Sequence, residues 1–306
     1  MAVCSEQARQ MVDAMWKERK KSQGQMEPVD YARRRAMAEA RYAQRKLADG
    51  ISVQAQMTGG VETECLVPED CYSGDFIIYI HGGGFLTGST RTSRAYASFL
   101  ARESGVRVYT VSYRLAPDYP WPAAPQDCMV VYRELQSAYP DARIALVGGS
   151  AGGNLCLTTM LRAKQEGVRL PCAAALYSPV TEQTGNLPSR RINAQRDCML
   201  SPKSSEESDA AYLVNADVTD PDVSPLYGDL TGLPPLFITV DADELLKDDG
   251  ILLDAYAREA GVETELRVSK GLFHAYPTVN PRLPESAEIM RSTVMFLRRA
   301  GLHVKE

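Results

Sequence analysis

Five short runs that are apolar at nearly every position constrain this chain's fold more than anything else in it: 76–80 (FIIYI), 106–111 (VRVYTV), 143–148 (RIALVG), 173–179 (AAALYSP) and 235–240 (PLFITV). A strand with one face in water alternates apolar and polar residues, so runs apolar on both faces must be covered on both sides. Helix-length segments at about 92–104, 122–138, 151–166 and 246–260 separate or follow them, the last two ending at Gly167 and Gly261. Strand alternating with helix predicts a mostly parallel, doubly wound α/β sheet. A further strand at 265–269 (ELRVS) and a last helix at about 284–300 complete the pattern.

Two regions fall outside it. Residues 5–47 are polar and rich in Met, Ala and charge, which reads as helix with a break near 24–28. Residues 180–234 are more than one crossover requires, and they include a helical segment at 203–214. No repeat or low-complexity linker sets either region apart. The expectation is one domain over 1–306, with a cap formed by about 1–47 and about 181–215. Met15, Trp16, Met199, Leu200, Tyr212 and Leu213 are its large apolar residues, expected to close over a pocket.

Composition then removes whole classes of function. The net charge is −5, and no Lys/Arg patch with interleaved aromatics occurs, so nucleic acid is not an expected partner. The longest almost wholly apolar stretch, 172–180, is too short to cross a bilayer, and the N-terminal MAVCSEQARQ lacks a leader's basic-then-apolar pattern. A cytoplasmic protein without stable membrane insertion is expected. Seven cysteines form no C-x-x-C pair, and the three histidines have no ligand spacing, so no metal or other cofactor is expected.

Chemistry enters at two glycine-rich turns. Gly148-Gly149-Ser150-Ala151-Gly152 is a G-x-S-x-G, a pattern that chance alone supplies at about 0.1 per chain of this composition. Its setting makes it informative: a buried run leads straight into it and a helix starts right after the serine, the strand–turn–helix context of a nucleophile elbow. The second turn, His81-Gly82-Gly83-Gly84-Phe85, follows the run 76–80. An HGGG arises by chance on the order of 0.001 times per chain. Consecutive glycines let backbone amides face a substrate oxygen with no Cβ in the way, so the amides of Gly83, Gly84 and Ala151 could bind an oxyanion. His81 and Gly82 then support that loop.

A nucleophilic serine needs a base. His303 lies near the C-terminus and His81 belongs to the loop, which leaves His274, in a loop after strand 265–269. The orienting carboxylate is less clear from the residues alone. The run 235–240 feeds Asp241, Asp243, Glu244, Asp248 and Asp249. Those beyond Leu246 belong to a helix; Asp241 and Asp243 remain, and pattern barely separates them.

Taken together, HGGGF (81–85), YRLAPDYPWPAA (113–124), GGSAGGN (148–154), the stretch 222–238, DELL (243–246) and HAY (274–276) resemble the hormone-sensitive-lipase-like esterases of the α/β-hydrolase superfamily, also called bacterial family IV. The resemblance runs from about residue 76 to the C-terminus. It implies an eight-stranded, mostly parallel sheet with a helical cap, Ser150 as nucleophile, Asp243 as acid, His274 as base, and oxyanion amides from Gly83, Gly84 and Ala151. Three positions depart from the family: Gly149 stands where Asp or Glu usually precedes the nucleophile, Ser112 where Asp is usual, and Glu244 where Pro often follows the acid.

The function expected is that of a serine carboxylesterase acting on small, short-chain acyl esters through an acyl-enzyme. The alternatives are an amidase, thioesterase or peptidase on the same triad, or a non-catalytic small-molecule receptor, against which the presence of His274 argues. Members of the family often dimerise, which makes a homodimer an option.

Overall fold

The computed structural model describes residues 4–22, 30–42 and 44–305. One eight-stranded sheet runs in the order β1-β2-β4-β3-β5-β6-β7-β8. Its strands are β1 (Ile51–Thr58), β2 (Val61–Pro68), β3 (Phe76–Ile80), β4 (Arg107–Val111), β5 (Ile144–Gly149), β6 (Ala173–Tyr177), β7 (Leu236–Asp241) and β8 (Thr264–Ser269). β2 pairs antiparallel with β1 and β4; all other pairs are parallel. The central strands are the apolar runs of the sequence, and β3, β5, β6 and β7 are buried at every position.

The pleat divides each strand between two cores. Phe76, Ile78 and Ile80 of β3 face α4 (Ala123–Ala138), α5 (Ala151–Gln165) and α8 (Lys247–Glu259). Ile77 and Tyr79 face the other layer, α3 (Thr90–Ser104) and α10 (Pro284–Arg299). The expected three-layer α/β arrangement is what the chain adopts.

The β1–β2 hairpin has no counterpart in the residue-by-residue reading of the strands. Thr58 and Val61 pair across Gly59-Gly60, both at positive φ (58° and 83°), the two-residue turn that suits a right-twisted hairpin. β1 is an edge strand and largely exposed. Residues 51–58 alternate polar and apolar, unlike the runs that are apolar on both faces.

Outside the sheet lie α1 (Glu6–Ser22), α2 (Tyr31–Tyr42), α6 (Pro188–Ile192), α7 (Pro202–Tyr212) and α9 (Tyr276–Val279). The helix break expected near 24–28 lies outside the described residues. α1 packs Ala8, Met11, Val12, Met15 and Trp16 onto Leu272, Phe273, Tyr276, Val279 and Leu283. It therefore covers the segment that carries His274.

Candidate active site

Ser150 sits between β5 and α5 at φ 57° and ψ −123°, a left-handed backbone that costs a non-glycine residue on the order of 1–3 kcal/mol. Surrounding hydrogen bonds hold it there. Its amide donates to the Tyr177 carbonyl (2.8 Å), and its own carbonyl accepts from the amides of Gly153 (2.9 Å) and Val180 (3.2 Å). The flanking glycines are obligatory for close approach: a Cβ on Gly148 would lie 2.4 Å from the Gly152 carbonyl oxygen, and one on Gly152 only 2.0 Å from that of Ile80. Gly149 faces Thr278 and Ala275, where a Cβ would stand 3.2 Å from Thr278 Cγ2.

The HGGG loop lies against this turn. A Cβ on Gly82 would be 2.7 Å from the Gly149 carbonyl oxygen and 3.1 Å from Ser150 Cβ. Gly83 (φ 123°) and Gly84 (φ 61°) turn the loop, and the Gly83 carbonyl accepts from the amides of Leu86 and Thr87. Among the described residues, no carbonyl or side chain accepts from the amides of Gly83, Gly84 or Ala151. His81 is buried, stacks on Tyr113 (centroids 4.2 Å apart) and donates from Nδ1 to the Gly82 carbonyl at 2.8 Å. Burial depresses its pKa to about 4, so at neutral pH it is an uncharged donor to its own loop.

His274 is buried, and its Nδ1 lies 2.8 Å from Glu244 Oε2. A carboxylate only accepts, so in the neutral imidazole Nδ1 carries the proton and Nε2 is left as an acceptor. Nε2 has no partner among the described residues, and His274 lines the same cavity as Ser150 and Gly82–Gly84. The next residue, Ala275, is left-handed (φ 48°), and its amide donates to Ser178 Oγ at 3.0 Å.

The carboxylate that meets His274 is not the Asp243 expected from the sequence. The half-buried Asp243 instead lies 3.8 Å from the guanidinium of Arg196. Asp241 is buried in a structural role, accepting from the amides of Asp243 and Leu272 and from Ser269 Oγ, each at 3.0 Å. The turn that Asp241 stabilises brings the chain round so that the third residue beyond the strand reaches inward. Glu244 then binds the Asp241 amide through Oε1 (3.0 Å) and His274 through Oε2. Spacing after a strand does not reveal this, because the direction of a side chain depends on the turn.

A second group, unforeseen in the sequence, braces the same loop. Asn193 Nδ2 donates to the carbonyls of Ala242 (3.0 Å) and Glu244 (2.8 Å). Asp197 accepts from the Leu245 amide through Oδ2 (2.9 Å) and from the amides of Met199 and Leu200 through Oδ1 (2.8 Å each). Ser189 Oγ donates to the Leu245 carbonyl at 2.7 Å. All three side chains are buried.

Ser150 and His274 open onto a cavity of about 360 Å³. Ala38 and Tyr42 of α2 line it, with Leu86, Met199, Leu200 and Leu246. Of the residues expected to close a pocket, Met199 and Leu200 lie there. Met15 and Trp16 pack on the His274 segment instead, and Tyr212 is buried in a stack with Phe85 (centroids 3.7 Å apart). Among the described residues, no helix is long and apolar enough to cross a membrane.

Residues 77–278 match a protein-family model described as the alpha/beta hydrolase fold. The chain is 33% identical over 228 residues to an acetyl-hydrolase of Streptomyces hygroscopicus, covering 74% of this chain and 76% of that protein. It is 34% identical over 224 residues to an esterase of Acinetobacter venetianus, covering 72% and 73% respectively. A crystal structure of an esterase from the bacterial hormone-sensitive lipase family superposes with a TM-score of 0.89 at 32% identity, covering 98% of this chain and 99% of that one. An esterase/lipase from an uncultured bacterium gives 0.88 at 30% identity, covering 97% and 99%. With a strained serine elbow, an adjoining glycine loop and this likeness along nearly its whole length, the chain belongs to the alpha/beta hydrolase family, among the carboxylic ester hydrolases that resemble hormone-sensitive lipase.

Proposed function

We propose that this protein is a serine carboxylesterase that hydrolyses short-chain acyl esters, with Ser150 as nucleophile, His274 as base and Glu244 as the acid that orients it. The observation that carries the reading is the buried imidazole: Glu244 occupies Nδ1, and the unpartnered Nε2 belongs to the cavity that Ser150 enters. Nε2 takes the Ser150 proton as Oγ attacks the ester carbonyl, and Glu244 steadies the imidazolium. The carbonyl oxygen becomes an oxyanion held by the amides of Gly83, Gly84 and Ala151. The imidazolium then protonates the leaving alcohol. In the second half, His274 deprotonates a water that attacks the acyl-enzyme, and Ser150 recovers its proton as the acid departs.

The cavity supports a preference for short chains. Each further methylene must find room among Leu86, Met199 and Leu200 or stay in water at a cost of about 0.8 kcal/mol. The cap is then α2 with the segment 181–215.

A fluorophosphonate probe combined with a p-nitrophenyl ester series tests the reading. Ser150→Ala should fold, lose nearly all hydrolysis and lose the label. A label that persists on another serine would overturn the assignment.

A further inference from the structure

The cavity also carries polar side chains that the acylation chemistry does not use. On α7, Ser205 and Asp209 stand four residues apart, hence on one face of the helix, and both line the cavity. Among the described residues neither the Ser205 hydroxyl nor the Asp209 carboxyl is hydrogen-bonded, and Asp209 feels Arg190 as a nearby charge. Gln183 and Arg190 line the same cavity from the preceding segment. Gln183 is 93% buried (7% exposed), and its amide nitrogen has no partner. The Arg190 guanidinium is turned by Asp249 (3.1 Å) and by the Glu182 carbonyl (2.9 Å), and its Nε is also unpartnered. Asp209 feels the charge of Arg190, so these two stand near each other, and an alkyl chain in this cavity would leave its free donors and acceptor unsatisfied.

We propose that these side chains form a subsite for a neutral, hydroxyl-bearing part of the ester substrate, bound by Asp209, Ser205 and Gln183 with Arg190 beside them. A hydroxyl both donates and accepts, so it can give its proton to Asp209 and receive one from Gln183 or Arg190. Burial raises the Asp209 carboxyl to about 6 against the pull of Arg190, so at neutral pH it is mostly ionised and accepting. An anionic group would meet Asp209, Asp249 and Glu182 around a guanidinium that is already paired. A cationic group would meet Arg190 itself and leave Gln183 unsatisfied. Arg34, the other cation among the described residues lining the cavity, faces Glu207 at 3.7 Å.

The proposal rests on the esterase reading and is tested by the ratio of kcat/KM within matched ester pairs, followed in a pH-stat. For the alcohol arm the pair is glyceryl monobutyrate and propyl butyrate; for the acyl arm it is ethyl 6-hydroxyhexanoate and ethyl hexanoate. In the full-length enzyme, one arm should favour its hydroxylated member by about tenfold or more, because a site built around a hydroxyl discriminates against the analogue lacking it. That ratio should fall toward one in Asp209→Ala and in Gln183→Leu. Because each ratio is taken within one protein, lower total activity in a variant does not alter it, and the wild-type ratio decides even if a variant misfolds. Equal or inverted preference on both arms would overturn the proposal, as would a hydroxyl preference intact in both variants. Faster turnover of butyrylcholine than of 3,3-dimethylbutyl butyrate would overturn it in favour of a cation subsite. Hydrolysis of the plain esters without discrimination leaves the esterase reading standing. No hydrolysis of any ester removes both.

Discussion

At the scale of single residues, two neighbouring carboxylates part company over one turn. The half-buried Asp243 lies beside the guanidinium of Arg196 while Glu244 holds His274 from a buried position. Glu244→Gln should therefore lower kcat by on the order of 10²- to 10⁴-fold, since an amide neither enforces the Nδ1–H tautomer nor steadies the cation. Its thermal midpoint should stay near that of the wild type. Asp243→Asn should leave kcat close to wild type, and a collapse of kcat in that variant would return the role to Asp243. His81 carries a prediction about pH. Its folded-state pKa is about 4 against an ordinary 6.5. Between those values the unfolded chain binds a proton that the folded chain refuses. Stability from this group is thus fully present above about 6.5 and is lost as pH falls toward 4. His81→Asn keeps a donor for the Gly82 carbonyl without the titration. From pH 7.5 to 4.5 the wild type should lose on the order of 2 kcal/mol more unfolding free energy than this variant. Equal losses in urea titrations would show that the imidazole titrates normally in the fold.

Between elements, the segment running from α6 to α7 does more than cover the site. Asn193, Asp197 and Ser189 hold the backbone of 242–245 from outside the sheet, and Asp197 joins that loop to the cavity wall at Met199 and Leu200. A misplacement of about 1 Å in a catalytic group can cost on the order of 100-fold in rate. Asn193→Leu removes the side-chain donor from the carbonyls of Ala242 and Glu244, and should reduce kcat by about 10- to 100-fold with a smaller change in KM. A variant whose melting point drops while kcat holds would limit Asn193 to a structural role. Nothing in the local sequence announces this contact. Asn193 lies in a polar stretch, RRINAQRD, that reads as solvated loop, and its partners are some fifty residues away.

For the molecule as a whole, the two regions outside the sheet divide their work. α2 and the segment at Met199 and Leu200 line the cavity, whereas α1 packs on the segment that bears His274. Removing residues 1–22 uncovers Leu272, Phe273, Tyr276 and Val279. The truncated protein should melt earlier and turn over more slowly, yet keep the wild-type ranking of acetate, butyrate and octanoate esters. Leu200→Ala should shift that ranking toward longer chains. A flattened ranking in the truncated protein would give α1 a direct part in shaping the pocket.

The sequence by itself determined the class of fold, the central strands and the two glycine turns. Each depends on signals between near neighbours: burial on both faces of a five-residue run, or glycines where a Cβ would collide with backbone. It also singled out Ser150 and His274, because few histidines leave few choices. Only the tertiary structure decided which carboxylate meets the imidazole, that Asn193 and Asp197 brace its loop, and which apolar residues of the outer helices see the cavity. Those outcomes depend on the direction of a side chain after a turn and on elements far apart in the chain. Neither is written in residue type or spacing, so Asp243 and Glu244 look alike until the turn at Asp241 is formed.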